Sequence, residues 1–513
     1  MKCTSSSELR TAEQKLIRNG VPSKILMAKA SLALAKELNF FSDGQPRSVV
    51  VVAGKGNNGG DGFGLAAQLA QLGWSVKVWV AASRDQIGEE SSGFMHQAEE
   101  RGVPFRWMPE SPDWEHLTLD LPPGAWVVDA LLGIGVDQAP YGVSINAISF
   151  LNHAARDHRI WSVDVPSGLH PDTGTPFDPG LCVRADSTLT IGAPKKGFLE
   201  DESLTWTGSV SVLDIGFERS PEVEEGEWQV LSDLEIREAL PIAKAEEHKG
   251  NRGHAFFMGG SPGMSGSIGM SAFASLKSGA GLASVLTPLS SADSLDASRP
   301  EVMVLPGLQG KFNSLRSQNI DFTPYGAACI GPGLRVNPNT YDFVHQVLYE
   351  CKIPLILDAD ALTCFADMYL HVGRKDRPVF LTPHPGEMAR LLKTSPDKIQ
   401  KNRIAAVQSV AMRTNAHVVL KGARSRMVLP NKESYVNFSG NVALATAGTG
   451  DVLAGMLAGM LARGIRLDLA LPVSVALHGR AGELASIRKG VSSVVAGDVL
   501  DALPDVFRYA QGR

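Results

Sequence analysis

Short apolar runs rich in valine and isoleucine alternate with stretches of helical periodicity along the whole chain. In the first part of the chain, these runs predict strands at residues 48–53, 76–80, 126–131, 161–165 and 188–191. In the second part, they predict strands at residues 255–258, 282–286, 327–330, 355–357, 379–381 and 418–420. Strands without polar alternation are typical of parallel sheets covered by helices on both faces. The pattern therefore predicts an α/β fold throughout.

The segment at residues 218–227, ERSPEVEEGE, separates the two series because it is acidic and has no periodic apolar face. A single core usually stops growing near about 250–300 residues, and this chain has 513. We therefore predict an N-terminal domain at 1–220, a linker at 221–227 and a C-terminal domain at 228–513. The first domain is expected to be a Rossmann-like, doubly wound parallel sheet.

The net charge of −5 conceals two halves of opposite sign. Residues 1–230 hold 19 Lys and Arg against 30 Asp and Glu, whereas the remainder holds 30 against 24. Neither half is basic enough to make nucleic acid the expected partner. With 44% hydrophobic and 20% charged residues, the composition also excludes a collagenous, coiled-coil or disordered chain.

The five cysteines are scattered and form no C-x-x-C pair, which indicates reduced thiols in a cytoplasmic protein. The first residues lack the apolar segment of a secretory signal. Residues 442–462, the most apolar long stretch, include Asp451 and several glycines, so we expect a buried helix rather than a membrane span. Within it, the spacing of Gly455 and Gly459 predicts close helix packing. We predict no membrane partner.

Three predicted strands of the first half end in polar loops, where parallel sheets bind ligands. The first loop, GKGNNGGDG at residues 54–62, contains G-x-G-x-x-G, a pattern that lets backbone amides approach a phosphate. The acidic residue of a plain dinucleotide site is absent, because Ala-Ala-Ser-Arg follows Val80. A glycine-rich turn without a ligand is the alternative, but Asn57, Asn58 and Asp61 in one loop favour binding.

The other two loops are VVDALLGIG at residues 127–135 and SVDVPSG at residues 162–168. Each places one aspartate, Asp129 or Asp164, near a strand end. Either aspartate alone is better explained as a helix cap or turn former than as a ligand-binding residue. Together the three loops converge on one sheet edge and offer oxygen ligands suited to an alkali or alkaline-earth cation.

These three loops resemble the NAD(P)H-hydrate epimerase domain, and the resemblance covers about residues 8–217. It implies that this domain interconverts the R and S forms of hydrated NADH or NADPH. It also implies contacts to that substrate from Asn57, Asn58, Gly59, Gly60, Asp61, Gly133, Ile134, Gly135, Val136, Asp137, Gln138, Ala139 and Asp164. The implied potassium ligands are Asn58, Asp129 and Ser167. Epimerisation requires a positioned acid or base, and Asp164 is our candidate.

In the second half, TAGTGD at residues 446–451 precedes the apolar helical stretch. Gly448 and Gly450 expose amides at a helix N-terminus, which suits a terminal phosphate. Asp451 follows in the first turn, where its carboxylate can accept a proton from a hydroxyl. An ordinary capped helix is the alternative. The loop KGARS at residues 421–425 follows a predicted strand, as a nucleotide-contacting loop would.

This arrangement resembles the ribokinase-like superfamily, whose fold is an α/β/α domain. Six ordered motifs resemble ADP-dependent NAD(P)H-hydrate dehydratase over about residues 228–508: HKGNRG at 248–253, GGSPGMSG at 259–266, GPGL at 331–334, LDADAL at 357–362, TPHPGE at 382–387 and ATAGTGD at 445–451. The implied substrate contacts are Ser267, Gly333, His384 and Asp451. The implied nucleotide contacts are Lys421, Gly422, Ala423, Arg424, Ser425 and Gly450.

For three residues of these motifs, a purely structural role is an alternative to ligand binding. His384 alone is explained at least as well as a turn histidine, although its flanking prolines hold it in a rigid loop. Asp358 and Asp360 suit a magnesium–phosphate network, but turn capping explains them equally well. Hydroxide is a poor leaving group, so we expect dehydration through phosphorylation of the ring hydroxyl, with Asp451 as base, followed by elimination of phosphate.

The sequence therefore predicts a cytoplasmic, bifunctional enzyme that epimerises NADH-hydrate and NADPH-hydrate and dehydrates the S epimer with ADP. The expected cofactors are a potassium ion in the first domain and a magnesium ion with ADP in the second, and a homo-oligomer is expected. The alternative is a ribokinase-type kinase of a vitamin alcohol, fused to a non-catalytic nucleotide-binding scaffold.

Overall fold

A computed structural model describes residues 1–45, 47–110, 114, 120–216, 228–307, 320–366, 372–373 and 377–512 of the chain. The chain divides into two compact units, Met1–Val223 and Glu224–Arg513. The predicted linker at 221–227 lies outside the described residues, so the domain boundaries stay predictions. Within the described part, no helix is both long enough and apolar enough to cross a membrane.

The first unit alternates helices with parallel strands. Its strands are β1 (Ser48–Ala53), β2 (Ser75–Val80), β3 (Phe105–Trp107), β4 (Trp126–Ala130), β5 (Ile160–Val163), β6 (Ser187–Ile191) and β7 (Ser209–Leu213). Its helices are α1 (Ser6–Arg18), α2 (Ser23–Phe41), α3 (Asn57–Gln71), α4 (Glu89–Glu100), α5 (Val143–Ala154) and α6 (Leu204–Thr207). The sheet order is β3-β2-β1-β4-β5-β6-β7, and every paired strand is parallel.

Strand β1 lies inside this sheet and is buried on both faces. Val50 and Val52 belong to an apolar cluster that includes Phe150 of α5. Val51, on the opposite face, lies against Gly62 of α3, where an added Cβ would be 3.2 Å from its Cγ1. Alternate residues of one strand thus contact helices on opposite faces, which is why the run carries no polar residue.

The second unit is a larger α/β layer structure. Its strands are β8 (Trp228–Gln229), β9 (His254–Met258), β10 (Leu282–Pro288), β11 (Met303–Gly307), β12 (Ala327–Ile330), β13 (Leu355–Leu357), β14 (Val379–Leu381), β15 (His417–Leu420), β16 (Arg426–Val428) and β17 (Ser434–Val436). Their order is β11-β10-β9-β12-β13-β14-β15-β16-β17-β8. Only the pairs β15–β16 and β16–β17 among the described strands are antiparallel.

Helices cover this sheet along its length. They are α7 (Asp233–Ala239), α8 (Ser265–Lys277), α9 (Leu289–Ser298), α10 (Pro338–Glu350), α11 (Asp360–Phe365), α12 (Pro385–Leu391), α13 (Pro396–Lys401), α14 (Arg403–Thr414), α15 (Thr449–Ala462), α16 (Leu467–Lys489) and α17 (Ala496–Ala510). Helices α8 and α15 pack closely, because a Cβ added at Gly455 would lie 2.0 Å from the carbonyl oxygen of Ser271. The predicted close packing at Gly455 is therefore confirmed.

The predicted α/β class and all eleven predicted strands are confirmed, with shifts of one or two residues at some ends. The prediction was wrong about residues 57–61, which were assigned to a loop but form the first turn of α3. The sequence reading also missed six strands, which are β3, β7, β8, β11, β16 and β17. Four of these, β3, β8, β16 and β17, have only two or three residues, too few to show a periodic pattern.

Candidate functional site

The first candidate site lies at the carboxyl edge of the first sheet, where β1, β4 and β5 are neighbours. The register pairs Ala53 with Ala130 and Asp129 with Ser162, so the three strands end at the same level. The loops that were predicted to bind ligand therefore start side by side. This is the location at which open parallel sheets bind ligands.

Glycines bring the first turn of α3 unusually close to its surroundings. An added Cβ at Gly59 would lie 1.9 Å from the carbonyl oxygen of Gly54, and one at Gly60 would lie 2.6 Å from Ser91 Oγ. At Gly62 the added atom would be 2.6 Å from the Cβ of Ala130. The glycines thus serve close packing, and they leave the polar side chains of this turn to face the site.

Asn58 is buried, with 8% of its surface exposed, yet only part of its amide is satisfied. Its Nδ2 donates to the carbonyl oxygen of Leu132 at 3.0 Å. Its Oδ1 has no hydrogen-bond partner within the described residues. Buried acceptors are normally satisfied, so this oxygen is the clearest sign of a missing ligand in the first unit.

Asp129 is fully buried and lies beside Ser167. Its carboxylate accepts hydrogen bonds from Ser167 Oγ at 2.6 Å, Ser167 N at 2.9 Å, Ser162 Oγ at 2.9 Å and the Leu131 amide at 3.2 Å. Burial raises the pKa of Asp129, and the Ser167 hydrogen bonds oppose that rise. Ser167 Oγ also accepts from the Leu132 amide at 3.0 Å. The structure therefore brings Asn58, Asp129 and Ser167 together around Leu132.

Asp164 has a left-handed backbone with φ of +65°, which is uncommon for a residue other than glycine. Its Oδ1 forms an ion pair with Lys195 Nζ at 2.5 Å and accepts from the Ile191 amide at 3.2 Å. Lys195 is only 1% exposed, and its Nζ also donates to the carbonyl oxygens of Ile191 and Ala193. Sequence reasoning missed Lys195, since a lysine after a strand and a proline reads as a surface residue.

Asp61 lies in the same group of charges. Burial raises the pKa of Asp61 well above its ordinary value; the carboxylates of Asp164 and Glu13 raise it further, and Lys195 lowers it. Burial also raises the pKa of Glu13, with further increases from Glu90 and Asp164. Glu13 belongs to α1, so this helix contributes a carboxylate that the sequence reading did not include in the site.

Residues 133–139 form a partly exposed loop at the rim of this site. Gly133 faces Asn58, since an added Cβ there would lie 3.3 Å from the Asn58 Cβ. Arg10 of α1 donates from Nη2 to the carbonyl oxygen of Ile134 at 2.7 Å. Helix α1 is therefore tied to the rim loop as well as to the charged group.

The second candidate site surrounds the N-terminus of α15. Gly448 precedes this helix with φ of +90°, a conformation that glycine adopts without strain. Asp451 lies in the first turn, and its carboxylate accepts a hydrogen bond from Ser267 of α8. Its backbone oxygen accepts from Ser271 Oγ at 2.9 Å. Two helix starts, both rich in small residues, thus face one another.

The electrostatics at Asp451 suit proton transfer near neutrality. Burial raises the pKa of Asp451 to about 6; the Ser267 hydrogen bond lowers it, and the carboxylate of Asp358 raises it. A carboxylate with such a pKa can take a proton at physiological pH and release it again. The helix N-terminus beside it attracts anions.

Lys421 joins the elements of this site. Its Nζ lies 3.0 Å from Asp358 Oδ1 and 4.0 Å from Glu387 Oε2. A Cβ added at Gly450 would be 3.3 Å from the same Nζ, so the lysine reaches the start of α15. Burial lowers the pKa of Lys421, but Asp358 and Glu387 outweigh it and raise the pKa overall. Burial raises the pKa of Glu387 to about 7, against the lowering by Lys421.

His384 stabilises its turn, and its ring is still partly exposed to solvent. It is the N-cap of α12, and its Nδ1 accepts from the amide of Gly386 at 3.0 Å. Its Nε2 lies 3.4 Å from Glu387 Oε1. Burial lowers the pKa of His384, and the charges of Lys421 and Arg390 lower it further. The ring is 52% exposed, so a turn role leaves it accessible to a ligand.

Asp358 and Asp360 have different roles. Asp358 is buried, accepts from Thr382 Oγ1 at 2.6 Å and pairs with Lys421. Asp360 accepts from the backbone amide of Arg335 at 2.7 Å, which is a turn-stabilising contact. Asp358 is paired directly with Lys421 of this site, whereas Asp360 influences Asp451 through its charge alone and less strongly than Asp358 does.

The loop at 421–425 divides into exposed and buried parts. Gly422 and Ala423 are exposed, and Ser425 is half-buried, with its Oγ donating to the Gly422 carbonyl oxygen at 3.0 Å. Arg424 is only 4% exposed and lies over the Phe438 ring at 5.4 Å. The structure thus leaves the backbone of this loop, rather than the Arg424 guanidinium, available at the surface.

The glycine-rich loops 259–266 and 331–334 contact each other beside the start of α8. The amide of Ser261 donates to the Gly333 carbonyl oxygen at 2.7 Å. At Gly333, with φ of +62°, an added Cβ would be 2.5 Å from the Met264 carbonyl oxygen. Gly333 therefore allows the close approach of two loops at the start of α8, which also carries Ser267.

Both units are thus α/β domains with a polar site at the carboxyl ends of parallel strands. A sequence profile described as YjeF-related protein N-terminus matches residues 23–197, and one described as NAD(P)H-hydrate dehydratase matches residues 255–505. The curated relatives include the bifunctional NAD(P)H-hydrate repair enzymes Nnr of Moorella thermoacetica and Thermofilum pendens. The first is 34% identical over 95% of this chain and 93% of its own, and the second is 32% identical over 99% and 96%.

Among solved structures, the second unit is similar to an ADP/ATP-dependent NAD(P)H-hydrate dehydratase from Bacillus subtilis, co-crystallised with ATP and Mg²⁺. The identity is 30%, the TM-score is 0.50, and the match covers 55% of this chain and 98% of the other. This supports the predicted ribokinase-like α/β/α fold. The chain belongs to the family of bifunctional NAD(P)H-hydrate repair enzymes.

Proposed function

We propose that the first unit epimerises NADH-hydrate and NADPH-hydrate, and that the second unit dehydrates the S epimer to NADH or NADPH with ADP. The observation that carries the proposal is the pair of separate carboxylate sites, each at the carboxyl edge of its own sheet. Relatives that align with nearly the whole chain are named bifunctional NAD(P)H-hydrate repair enzymes. A kinase of a vitamin alcohol, fused to a non-catalytic scaffold, is not favoured by these relatives.

Dehydration begins with the ring hydroxyl of the hydrate close to Asp451. The carboxylate takes the hydroxyl proton as the oxygen attacks the terminal phosphoryl group of ADP, and AMP leaves. Phosphate then departs from the ring carbon with loss of a proton from the neighbouring carbon, and the double bond of the reduced nicotinamide is restored. Amides at Gly448 and Gly450 stabilise the transferring phosphoryl group.

Other residues of the second unit bind the reactants. Ser267, Gly333 and His384 contact the hydrated substrate, since they line the region around Asp451 and α8. Lys421 lies near Gly450, where its ammonium balances phosphate charge. The Lys421, Gly422, Ala423 and Ser425 segment offers backbone groups to the nucleotide. Arg424 supports that loop from below through its contact with Phe438.

Magnesium fits the second site as a companion of the nucleotide. Within the described residues, no group of three or more His, Cys, Asp or Glu side chains could hold a metal ion. Magnesium is commonly held by one or two carboxylates together with substrate phosphates. Asp358 and Glu387 would be those carboxylates here. When bound, the ion neutralises charge on the phosphate oxygens.

Potassium fits the first site through its oxygen donors. Among the described residues, Asn58 Oδ1 is buried and has no hydrogen-bond partner. Asn58 and Ser167 both hydrogen-bond to the Leu132 backbone, and Ser167 Oγ also contacts the Asp129 carboxylate at 2.6 Å. Neutral amide and hydroxyl oxygens with one carboxylate suit a large monovalent cation. The residues that would hold it are Asn58, Asp129 and Ser167. Bound there, the ion would fix the loops that contact the hydrate.

Contacts to the hydrate in the first unit come from the α3 turn, the rim loop and Asp164. The α3 residues are Asn57, Asn58, Gly59, Gly60 and Asp61, and the rim residues run from Gly133 to Ala139. Asp164 is the base of epimerisation. A cytoplasmic location and a homo-oligomeric state complete the proposal, and both rest on the sequence alone.

The experiment supplies the purified full chain with the separated S epimer, Mg²⁺ and either ADP or ATP, and follows the return of reduced nicotinamide. We expect return with ADP and release of AMP and phosphate in equal amounts. A matched chain with Asp451→Asn is the control. Return that needs no nucleotide, or no return with either nucleotide, would contradict the proposal for the second unit.

A further inference from the structure

Asp61 is proposed to contact the hydrate, but its chemical role in the reaction is still unassigned. It makes no hydrogen bond within the described part of the chain, although it lies in a turn that is otherwise tightly packed. The charged groups that act on it come from three different elements: Glu13 from α1, Asp164 from the end of β5, and Lys195 from the loop after β6. The charged groups that influence the Asp61 carboxyl group are therefore two carboxylates and one ammonium.

The packing of α3 fixes the direction of the Asp61 side chain. Gly59 abuts the Gly54 backbone, Gly60 abuts Ser91 and Met27, and Gly62 abuts Ala130. Successive helical residues are rotated by about 100°. Positions 59, 60 and 62 therefore occupy three sides of the turn, and position 61 occupies the remaining side. Asp164, Glu13 and Lys195 all act on the Asp61 carboxyl group through their charges, so they lie in its neighbourhood.

The two aspartates are placed in unequal environments. Lys195 Nζ and the Ile191 amide both contact Oδ1 of Asp164, so this carboxylate has a buried cation and a backbone amide as direct partners. Oδ2 of Asp164 makes no hydrogen bond to the described residues and is available to a substrate. Asp61 has no cation of its own and faces two negative groups; burial raises its pKa well above the ordinary value, and these neighbours raise it further. Two neighbouring carboxyl groups, one with a cation partner and one without, occupy the unequal environments that an acid–base pair requires.

Epimerisation of the hydrate requires both a base and an acid. Water adds to the ring so that the hydroxyl-bearing carbon is bonded to the ring nitrogen. When a base removes the hydroxyl proton, the oxygen forms a carbonyl, the carbon–nitrogen bond breaks, and its electron pair goes to nitrogen. An acid supplies the proton that nitrogen then takes. Rotation of the open aldehyde and the reverse steps close the ring with either configuration and return both protons, so no oxidant or reductant is consumed.

We propose that Asp61 is the general acid of epimerisation, that Asp164 is its general base, and that Lys195 is the positioning residue that assigns these roles. This inference rests on the proposed function of the first unit. It divides the reaction between two carboxyl groups of different elements. Asp164 acts through Oδ2 on the hydroxyl, and Asp61 acts on the ring nitrogen.

The test follows interconversion of the separated R and S epimers by chromatography, without nucleotide, using the full chain. Asp61→Asn keeps the shape of the side chain but cannot donate the carboxyl proton. We expect kcat to fall by about 10²-fold or more, with loss of the alkaline limb of the pH profile. Asp157→Asn, an exposed aspartate of the same unit, is the matched control and should leave kcat and the profile unchanged.

Two further variants separate a chemical role from a structural one. Glu13 raises the pKa of Asp61 beyond the effect of burial, and Lys195 lowers it. Glu13→Gln should therefore move the alkaline limb to lower pH, whereas Lys195→Gln should move it to higher pH. If Asp61 only supported the fold, these two substitutions would not shift the alkaline limb in opposite directions.

The outcomes distinguish this proposal from the proposed function itself. If the wild-type chain interconverts the epimers and Asp61→Asn retains kcat within a few-fold, Asp61 is not the acid. An alkaline limb that survives in Asp61→Asn would overturn the proposal as well. If the wild-type chain itself interconverts nothing, the function of the first unit is wrong. Dehydration of the S epimer by the same preparations reports whether the chain is folded.

Discussion

At the scale of single residues, the proposed role of Asp451 as base predicts how dehydration depends on pH. The base must be ionised to accept the hydroxyl proton, and burial raises the pKa of Asp451 to about 6. We therefore expect kcat/KM for the S epimer to rise with pH through about 6 and to level off above it. Measured initial rates between pH 5 and pH 8 check this, and a flat profile across that range would contradict the assignment.

Lys421 gives a second prediction at this scale. Its ammonium lowers the pKa of both Asp451 and Glu387, whereas burial raises both. Lys421→Met should therefore move the acidic limb of kcat/KM to higher pH and raise KM for ADP by about tenfold or more, because charge-assisted contacts to phosphate are strong.

Lys421→Arg is the matched control for that experiment. Arginine keeps the positive charge, so the acidic limb should stay close to that of the wild type even if KM changes. A limb that shifts equally in both variants would show that packing, rather than charge, governs the ionisation of Asp451.

Much of the candidate site could be predicted from residue patterns, and Lys195 and Glu13 mark the limit. The strand-end aspartates and glycine loops are local signals, because parallel strands bring their carboxyl ends together. Lys195 and Glu13 reach the site through contacts between distant parts of the chain. Lys195 forms an ion pair with Asp164, and Glu13 belongs to α1, which is distant in sequence from both Asp61 and Asp164. No local pattern distinguishes such residues from ordinary surface charges.

At the scale of elements, the contact between α8 and α15 supports the second site. Both helices carry a residue of that site in their first turn, Ser267 on α8 and Asp451 on α15. Gly455 allows the backbones to approach, since a side chain there would meet the Ser271 carbonyl oxygen. The site geometry therefore depends on a glycine about one turn after Asp451 in α15.

Gly455→Ala tests this dependence. Overpacking of a close helix contact costs about 1–3 kcal/mol, so the temperature at which half of the dehydration activity is lost should fall by several degrees. Gly497→Ala is the matched control, because Gly497 is also helical but an added Cβ there meets nothing within 4 Å. That control should leave the temperature unchanged or raise it slightly. Equal losses in both variants would contradict the packing account.

Element prediction from sequence succeeded where burial imposes a clear pattern. Strands such as Ala327–Ile330 and Leu355–Leu357 are covered on both sides, so they read as apolar runs. The antiparallel strands β16 and β17 have only three residues each, and β16 begins with a charged residue, Arg426, which packs over Trp228. The helical start at Asn57 was missed because four glycines among residues 54–60 read as a loop, whereas tertiary packing holds them in helix.

At the scale of the whole molecule, the chain contains two compact units with separate sites. The acidic excess of residues 1–230 includes the carboxyl groups Glu13, Asp61, Asp129 and Asp164. The excess of basic residues after residue 230 accompanies a unit proposed to bind a dinucleotide and ADP together, and a positive balance assists the approach of such anions. The two catalytic activities should therefore be separable by single substitutions.

The most direct test supplies a mixture of R and S epimers, ADP and Mg²⁺ to three full-length chains: wild type, Asp164→Asn and Asp451→Asn. Return of reduced nicotinamide is recorded together with the remaining epimers. We expect the wild type to consume both epimers. With Asp164→Asn, the S epimer should be consumed, whereas the R epimer should disappear only as fast as it does without protein. With Asp451→Asn, the epimers should interconvert, but no reduced nicotinamide should form. Simultaneous loss of both activities in either variant, or return from neither epimer in the wild type, would contradict this account.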